Sequence, residues 1–309
     1  MVPDDPDVKA IIDLGTHTIL MVTGRRRQNG SIEILDDAHA FARLGKGVDA
    51  HRRILPETFE RVCGFLYSYK ARARSFGARQ ITAYGTSALR DAANKADFIA
   101  HVKEKTGIAL LEISGKEEAR LTFSGAAFEL CLPERYSVLD IGGGSTELAV
   151  GSGASLEQAA SVDVGSVRLT ERFFGQLPPS PTQQLAATAT IQEDLGHLLP
   201  YPEGVPLVAV AGTATTLGAI DKGIEYFNAE ELNGHFMERG RVAELADHLL
   251  SLTIDEIRRI PQVHDQRAGI ISAGALILRS ALCLFDCPGA LVSTRGIRYG
   301  LLLQAFRKS

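Results

Sequence analysis

Two segments of this chain repeat one another. Residues 11–24 read IIDLGTHTILMVTG, and residues 138–151 read VLDIGGGSTELAVG. Each runs through an apolar stretch, an Asp, an apolar residue, a Gly, a small polar loop and a second β-prone stretch that ends in Gly, so that Gly24 falls opposite Gly151 without a gap. The pattern predicts strand, tight turn, strand, twice over. A chain built on two such units has to supply each with its own sheet and core, which points to two similar α/β halves.

The rest of the sequence agrees with that reading. PETFERVCGFLYSYKARARSFG (56–77) opens on Pro, ends on Gly, and spaces Phe59, Val62, Leu66, Tyr69, Ala73 and Phe76 as one apolar helical face. RQITAYG (79–85) and IALLEI (108–113) read as strands, and NKADFIAHVKEKTG (94–107) as a helix. SGKEEARLTFSGAAFEL (114–130) opens with a helix start, PLVAVAGTATTLGAI (206–220) reads strand, loop, helix, and DQRAGIISAGALILRSAL (265–282) reads as one long buried helix. GALVSTRGIRYGLLLQAF (289–306) runs from a strand into a terminal helix. The length of 309 residues suits two domains. We expect an N-terminal domain over 1–128, joined by a C-terminal helix at 294–309, and a second domain over 129–293.

Composition bounds the function. The net charge of −4 does not suit a DNA-binding protein, although residues 1–100 carry 15 Lys+Arg against 12 Asp+Glu, a mildly basic balance that suits an anionic ligand. No apolar run is long enough to span a membrane, and the acidic start MVPDDPDVKA is unlike a secretory signal. The four scattered cysteines, Cys63, Cys131, Cys283 and Cys287, have no histidine at a zinc-like spacing and read as reduced thiols of a cytoplasmic protein. Arg25, Arg26 and Arg27, beside the turn-forming Asn29-Gly30, read as a solvated hairpin tip or as phosphate contacts.

Glycine-rich turns after strands expose consecutive backbone N–H groups, which cradle phosphate oxygens. Three segments fit: Gly15–Thr18 (Gly15, Thr16, His17, Thr18), Gly142–Thr146 (with Gly143, Gly144, Ser145, Thr146) and Gly212–Thr215 (with Gly212, Thr213), the last leading into a helix. Three of them together point to a ligand with several phosphates. Asp13 and Asp140 precede two of the loops, where a sheet places its ligands, and two carboxylates beside phosphates suit Mg²⁺. Ser114-Gly-Lys-Glu117 matches a capping box, which gives Glu117 a structural task and leaves Glu118 free to orient a water, or simply solvated. Glu147 is the charged residue on an otherwise apolar strand, either a metal or water contact or an exposed strand face.

These motifs together resemble the Ppx/GppA phosphatase family, the exopolyphosphatases and guanosine pentaphosphate phosphohydrolases. IIDLGTHTILMV, ARLGKGVDA, AYGTSALRDAANKADFI, ISGKEEARLTFSGA, VLDIGGGSTELAVG, DVGSVRLTERF, VAVAGTATTLGAI and STRGIRYGLL match in the family's order. The resemblance implies the actin-like, two-domain α/β fold (ASKHA, RNase H-like) with duplicated strand–Gly loop–strand units and an interdomain cleft, in the short, two-domain form. It implies Glu118 as the catalytic base, Asp140 and Glu147 as Mg²⁺ (or Mn²⁺) and water ligands with Asp13 opposite, the three loops as phosphate holders, and Arg90 as a phosphate contact, with Arg43 and Lys46 as similar cases. It further implies a homodimer acting on inorganic polyphosphate or on guanosine pentaphosphate.

The chain departs from the family at His17, where Asn is usual, at Thr294, where Asp is usual, and at His51-Arg52, where Thr-Gly is usual. The short, two-domain form and the basic excess of the first third put an exopolyphosphatase first and a guanosine pentaphosphate phosphohydrolase second. An ATP-dependent small-molecule kinase on the same fold, and a non-catalytic sensor of guanosine polyphosphates or polyphosphate, are the rival readings.

Overall fold

In the computed structural model, residues 5–198 and 200–307 are described. The chain divides into two units, Met1–Gly125 with Ile297–Ser309, and Ala126–Gly296. The first unit runs β1 (Asp5–Leu14), β2 (Ile19–Arg26), β3 (Ile32–Ala40), α1 (Val48–His51), α2 (Pro56–Ser75), β4 (Ala78–Gly85), α3 (Ser87–Asp91), α4 (Lys95–Thr106), β5 (Ala109–Glu112) and α5 (Gly115–Ala126). The second runs β6 (Arg135–Ile141), β7 (Thr146–Ser152), β8 (Ser155–Val162), α6 (Ser166–Phe173), α7 (Pro181–Gly196), β9 (Leu207–Val210), α8 (Ala211–Lys222), α9 (Ala229–Leu232), β10 (Phe236–Glu238), α10 (Arg239–Ser251), α11 (Ile254–Arg258), α12 (Ile271–Leu284) and β11 (Gly289–Val292). The chain then returns to the first unit as α13 (Ile297–Arg307).

The repeat seen in the sequence is a repeat of topology. The first sheet has the order β3-β2-β1-β4-β5, and the second β8-β7-β6-β9-β11-β10. In each, an antiparallel meander of three strands is continued from its first strand by two parallel strands, β4 and β5 or β9 and β11, and the second sheet adds β10 as an antiparallel edge. Even the turns match. Gly15 N–H donates to Thr18 O at 2.9 Å, and Gly142 N–H to Ser145 O at 3.0 Å. The two-unit α/β architecture with duplicated strand–loop–strand cores is the fold class expected from the sequence.

Each unit has its own core. Ile12, Leu14, Ile19, Met21, Val62, Leu66, Tyr69 and Phe98 belong to the first, and Leu139, Leu148, Leu169, Ile191, Leu217 and Leu276 to the second. Helix α2 shows how the pattern acts: Val62, Leu66, Tyr69 and Ala73 are buried on one face, and the Tyr69 hydroxyl donates to the Ile19 carbonyl at 3.1 Å. Each such fully buried aliphatic side chain contributes roughly 1.5–3 kcal/mol. Lys9 of β1 and Arg26 of β2 donate to the carbonyls of Ala305 and Phe306, which fastens α13 to the first sheet. The Arg25–Arg27 tip pairs with Asp5, Asp7 and Glu33.

Two expected elements differ. Residues 265–282 are not one helix: a 3₁₀ turn over Asp265–Arg267 precedes α12, which begins at Ile271. His264 caps that turn by accepting from Gln266 N–H at 3.1 Å, and Gly269 and Ile270 form the break. The expected loop Gly212–Thr215 lies inside the first turns of α8, which follows β9 directly. No helix among the described residues is long and apolar enough to cross a membrane. The four cysteines are free.

Candidate active site

In the first unit, Asp13 is buried one residue before the end of β1, and Gly15, Thr16, His17 and Thr18 form the turn into β2. Arg90 sits on the short helix α3, which leaves the end of β4. Glu118 lies in the first turn of α5, where its N–H donates to Ser114 O at 2.8 Å. Ser114 Oγ accepts from Glu117 N–H, which is half of the expected capping box, while the Glu117 carboxylate binds Arg120 and Glu118 binds Arg90.

Glu118 is 7 % exposed, and its Oε2 lies 2.5 Å from Arg90 Nη1. The same guanidinium nitrogen donates to the Ile113 carbonyl at 3.1 Å, which fixes Arg90 in place. Burial pushes the Glu118 carboxyl above the usual carboxylate range, and the charge and hydrogen bond of Arg90 pull it part of the way back. A carboxylate raised by burial and held by one cation is suited to accept a proton from water near neutral pH. The Arg90 side chain makes a salt bridge to Glu118.

In the second unit, the register of β6 and β7 sets Asp140 directly opposite Glu147. Both are buried, and directly opposed residues of an antiparallel pair share one face. Ser161 Oγ donates to Glu147 Oε1 at 2.7 Å. Two carboxyl groups brought to one buried face form a donor pair of the kind a divalent cation takes. The donor set therefore fits Mg²⁺, which binds through one or two carboxylates plus substrate oxygens and water. Among the described residues, no group of three or more His, Cys, Asp and Glu is placed to hold a metal by protein ligands alone. Asp13 lies in the first unit, buried near the end of β1.

The glycine loop between β6 and β7 is shaped by α6. Ser166 N–H donates to Gly142 O, and the N–H groups of Val167 and Arg168 to Gly143 O, at 2.8–3.0 Å. The buried Arg168 donates from Nε to Gly144 O at 2.7 Å, and Thr146 Oγ1 donates to Val164 O at 2.6 Å. The loop's carbonyls are thus turned into α6. Gly165 makes this approach possible, because a Cβ there would stand 2.6 Å from the backbone of Gly143 and Gly144.

At the third element, Ala211 has φ +67°, a left-handed conformation that a residue with a Cβ rarely adopts. It turns β9 straight into α8, so that Gly212 and Thr213 occupy the first turn of the helix, whose free N–H groups favour anions. The Arg267 guanidinium lies over Gly212: a Cβ on that glycine would stand 1.7 Å from Arg267 Nη1. Burial lowers the Arg267 pKa to about 10, which leaves it charged at neutral pH. Sequence reasoning does not single out Arg267 or the structural role of Arg168.

The comparisons with known proteins follow the same lines. The profile of the Ppx/GppA phosphatase family matches residues 25–309. Exopolyphosphatase 2 of Mycobacterium tuberculosis is 31% identical over 284 residues, covering 87% of this chain and 88% of that protein. The bifunctional 3-dehydroquinate synthase/phosphatase of Fusobacterium nucleatum is 30% identical over 96% of this chain, which spans 46% of that longer protein. Among solved structures, an exopolyphosphatase-like protein superposes with a TM-score of 0.92 at 27% identity, over 97% of this chain and 99% of that one. The Aquifex aeolicus family member superposes with a TM-score of 0.83 at 27% identity, over 97% and 98%. With nearly the whole length matched in sequence and in fold, and with the repeated glycine loops in place, the chain belongs to the Ppx/GppA phosphatase family.

Proposed function

We propose that this protein is an exopolyphosphatase, which hydrolyses the terminal phosphoanhydride bond of inorganic polyphosphate with Mg²⁺. The observation that carries this reading is Glu118, a buried carboxylate held by Arg90 in the same unit as a phosphate-type turn. A kinase would use such a base on an acceptor hydroxyl, so phosphate release without any acceptor separates the two. The family and the mycobacterial exopolyphosphatase support the hydrolase reading at a coarser level.

In this mechanism Glu118 orients a water and takes its proton as the water oxygen attacks the terminal phosphorus in line. The new P–O bond forms, the P–O bond to the chain breaks, and a chain shorter by one phosphate leaves with the electron pair. Arg90 keeps Glu118 ionised and in place. Within the first unit the N–H groups of Thr16, His17 and Thr18 are suited to phosphate oxygens, and within the second unit so are those of Gly143–Thr146 and of the α8 start, with Arg267 beside the last of these. Asp140 and Glu147 would hold Mg²⁺, which when bound neutralises negative charge on the phosphates.

Phosphate release from long-chain polyphosphate and from guanosine pentaphosphate, measured in parallel with Mg²⁺ and with chelator, tests this. The expected outcome is Mg²⁺-dependent release from polyphosphate that Glu118→Gln abolishes. Release from guanosine pentaphosphate alone would replace the substrate. Tight binding without release would replace the enzyme by a sensor.

A further inference from the structure

The strand register of the second sheet adds a further polar residue to the two carboxylates of its site. Asp140 of β6 is paired with Glu147 of β7, and Glu147 in turn with Ser161 of β8. The three form one row across adjacent strands, on one face of the sheet. Their chain neighbours Leu139, Ile141, Leu148 and Val162 point the other way, into the core of the unit. The next row on the same face, Val138, Ala149 and Ala159, is apolar and small. Ser161 is half-buried on the edge strand, and its Oγ donates to Glu147 Oε1 at 2.7 Å.

The repeat shows what is particular to this row. In the first sheet the corresponding positions are Asp13, Leu20 and His39, paired across the strands in the same way. Asp13 is the counterpart of Asp140, but a leucine stands where the second unit has Glu147, and a histidine where it has Ser161. The second carboxylate and its hydroxyl donor thus occur together. Glu147 is 1 % exposed, so the Ser161 hydrogen bond is made where water competes poorly, and it fixes how the carboxylate is turned.

A carboxylate can give a cation one oxygen or both. Ca²⁺ has a large and flexible shell that often takes both, whereas Mg²⁺ demands a near-ideal octahedron and dehydrates reluctantly. A hydroxyl held on Oε1 commits that oxygen and turns Glu147 toward one-oxygen binding. Hydrogen-bond partners behind a metal ligand act in this way, by orienting it. We propose that Ser161 is a positioning residue that restricts Glu147 to one-oxygen binding and so makes the Asp140–Glu147 pair prefer Mg²⁺ to Ca²⁺. The inference rests on the reading above that this pair holds the metal. Ser161 acts through Glu147 and not on the substrate.

The test is equilibrium binding of Mg²⁺ and of Ca²⁺ to the full chain by titration calorimetry, with phosphate release from polyphosphate measured alongside. The variants are Ser161→Ala, Ser161→Thr and, as a control on the pair, Glu147→Gln. Ser161→Ala should weaken Mg²⁺ binding by about tenfold or more and leave Ca²⁺ binding unchanged or tighter, so that the ratio of the two dissociation constants moves toward Ca²⁺ by at least that factor. Ser161→Thr keeps the hydroxyl and should hold the ratio within about twofold of wild type. Glu147→Gln should lose both ions. An unmoved ratio in Ser161→Ala, an equal loss on both ions, a wild type that binds neither, or both ions still bound by Glu147→Gln would each overturn the inference. The shifted ratio in a protein that releases no phosphate would sink the exopolyphosphatase reading and leave the role of Ser161 standing.

Discussion

The Arg90 guanidinium lies 2.5 Å from the Glu118 carboxylate, and the two side chains are 18% and 9% exposed. The pair sets the pH at which Glu118 can work. Only the ionised form accepts a proton, so activity should fall as pH drops through its pKa. Burial raises that pKa and Arg90 lowers it. Removing Arg90 therefore moves the acid limb of kcat/KM toward higher pH, by about one unit or more in Arg90→Gln. Arg90→Lys, which keeps the charge, should move it less. Glu118→Gln should lower kcat roughly 10²–10⁴-fold with bound substrate retained. An acid limb that stays put in Arg90→Gln would show that Arg90 does not act through Glu118.

The opposed carboxylates of Asp140 and Glu147 should be visible in stability before any turnover is measured. Like charges directly opposite on one sheet face cost up to about 1 kcal/mol. Asp140→Asn should raise the Tm of the metal-free protein by about 2–4 °C. Wild type should gain further stability from Mg²⁺, because a ligand that binds only the folded state shifts unfolding, and the variant should lose that gain. Scanning calorimetry with Mg²⁺ and with chelator separates these outcomes. A variant that is destabilised without metal would mean that the pair is already satisfied within the protein.

Much of this site can be read from residues close in sequence. The two Asp-x-Gly turns announce themselves because a strand–turn–strand unit is local, and the helix faces of α2 and α4 because burial repeats at helical spacing. Glu118 stands out because the cap at Ser114 gives Glu117 another task. What the sequence hides depends on distance along the chain. Arg168 reaches back 24 residues to Gly144. Arg267 reaches Gly212 only because a 3₁₀ turn interrupts what the apolar pattern presents as one helix. The opposition of Asp140 and Glu147 is within reach of hairpin arithmetic, since a four-residue turn fixes their register, but Glu147 taken alone shows only a charge on an apolar strand. Gly212–Thr215 looks like a loop because nothing local says that Ala211 takes a left-handed conformation.

Gly165 should be intolerant of even one methyl group. A Cβ there would stand 2.6 Å from Gly143 C and O and Gly144 N, all of them backbone atoms held by α6 and Arg168. Overpacking of this kind costs about 1–3 kcal/mol. Gly165→Ala should lose that much stability in urea unfolding and raise the KM for polyphosphate about tenfold, since the loop must move. Gly64 is the contrast, exposed in the middle of α2 with nothing within 4 Å of where a methyl carbon would sit. Gly64→Ala should stabilise the protein by about 0.5–1 kcal/mol through helix propensity and leave the KM alone. Equal tolerance at the two sites would mean that the loop at 142–146 yields freely.

Gly212 and Arg267 should behave as one unit. The glycine has no side chain, and the guanidinium of Arg267 fills the space where one would be. Gly212→Ala therefore displaces Arg267 from the start of α8 and removes the same cation that Arg267→Ala deletes. A hydrogen bond to a charged group is worth about 1.5–3 kcal/mol, so each single variant should raise the KM by roughly 10–100-fold. The double variant should be little worse than either, giving a coupling energy close to one single effect in a double-mutant cycle. Arg267→Lys should recover part of the loss, since a point charge replaces the fork without its geometry. If instead the two effects add, the arginine and the glycine serve the phosphate independently, and the approach of Arg267 to Gly212 is packing alone.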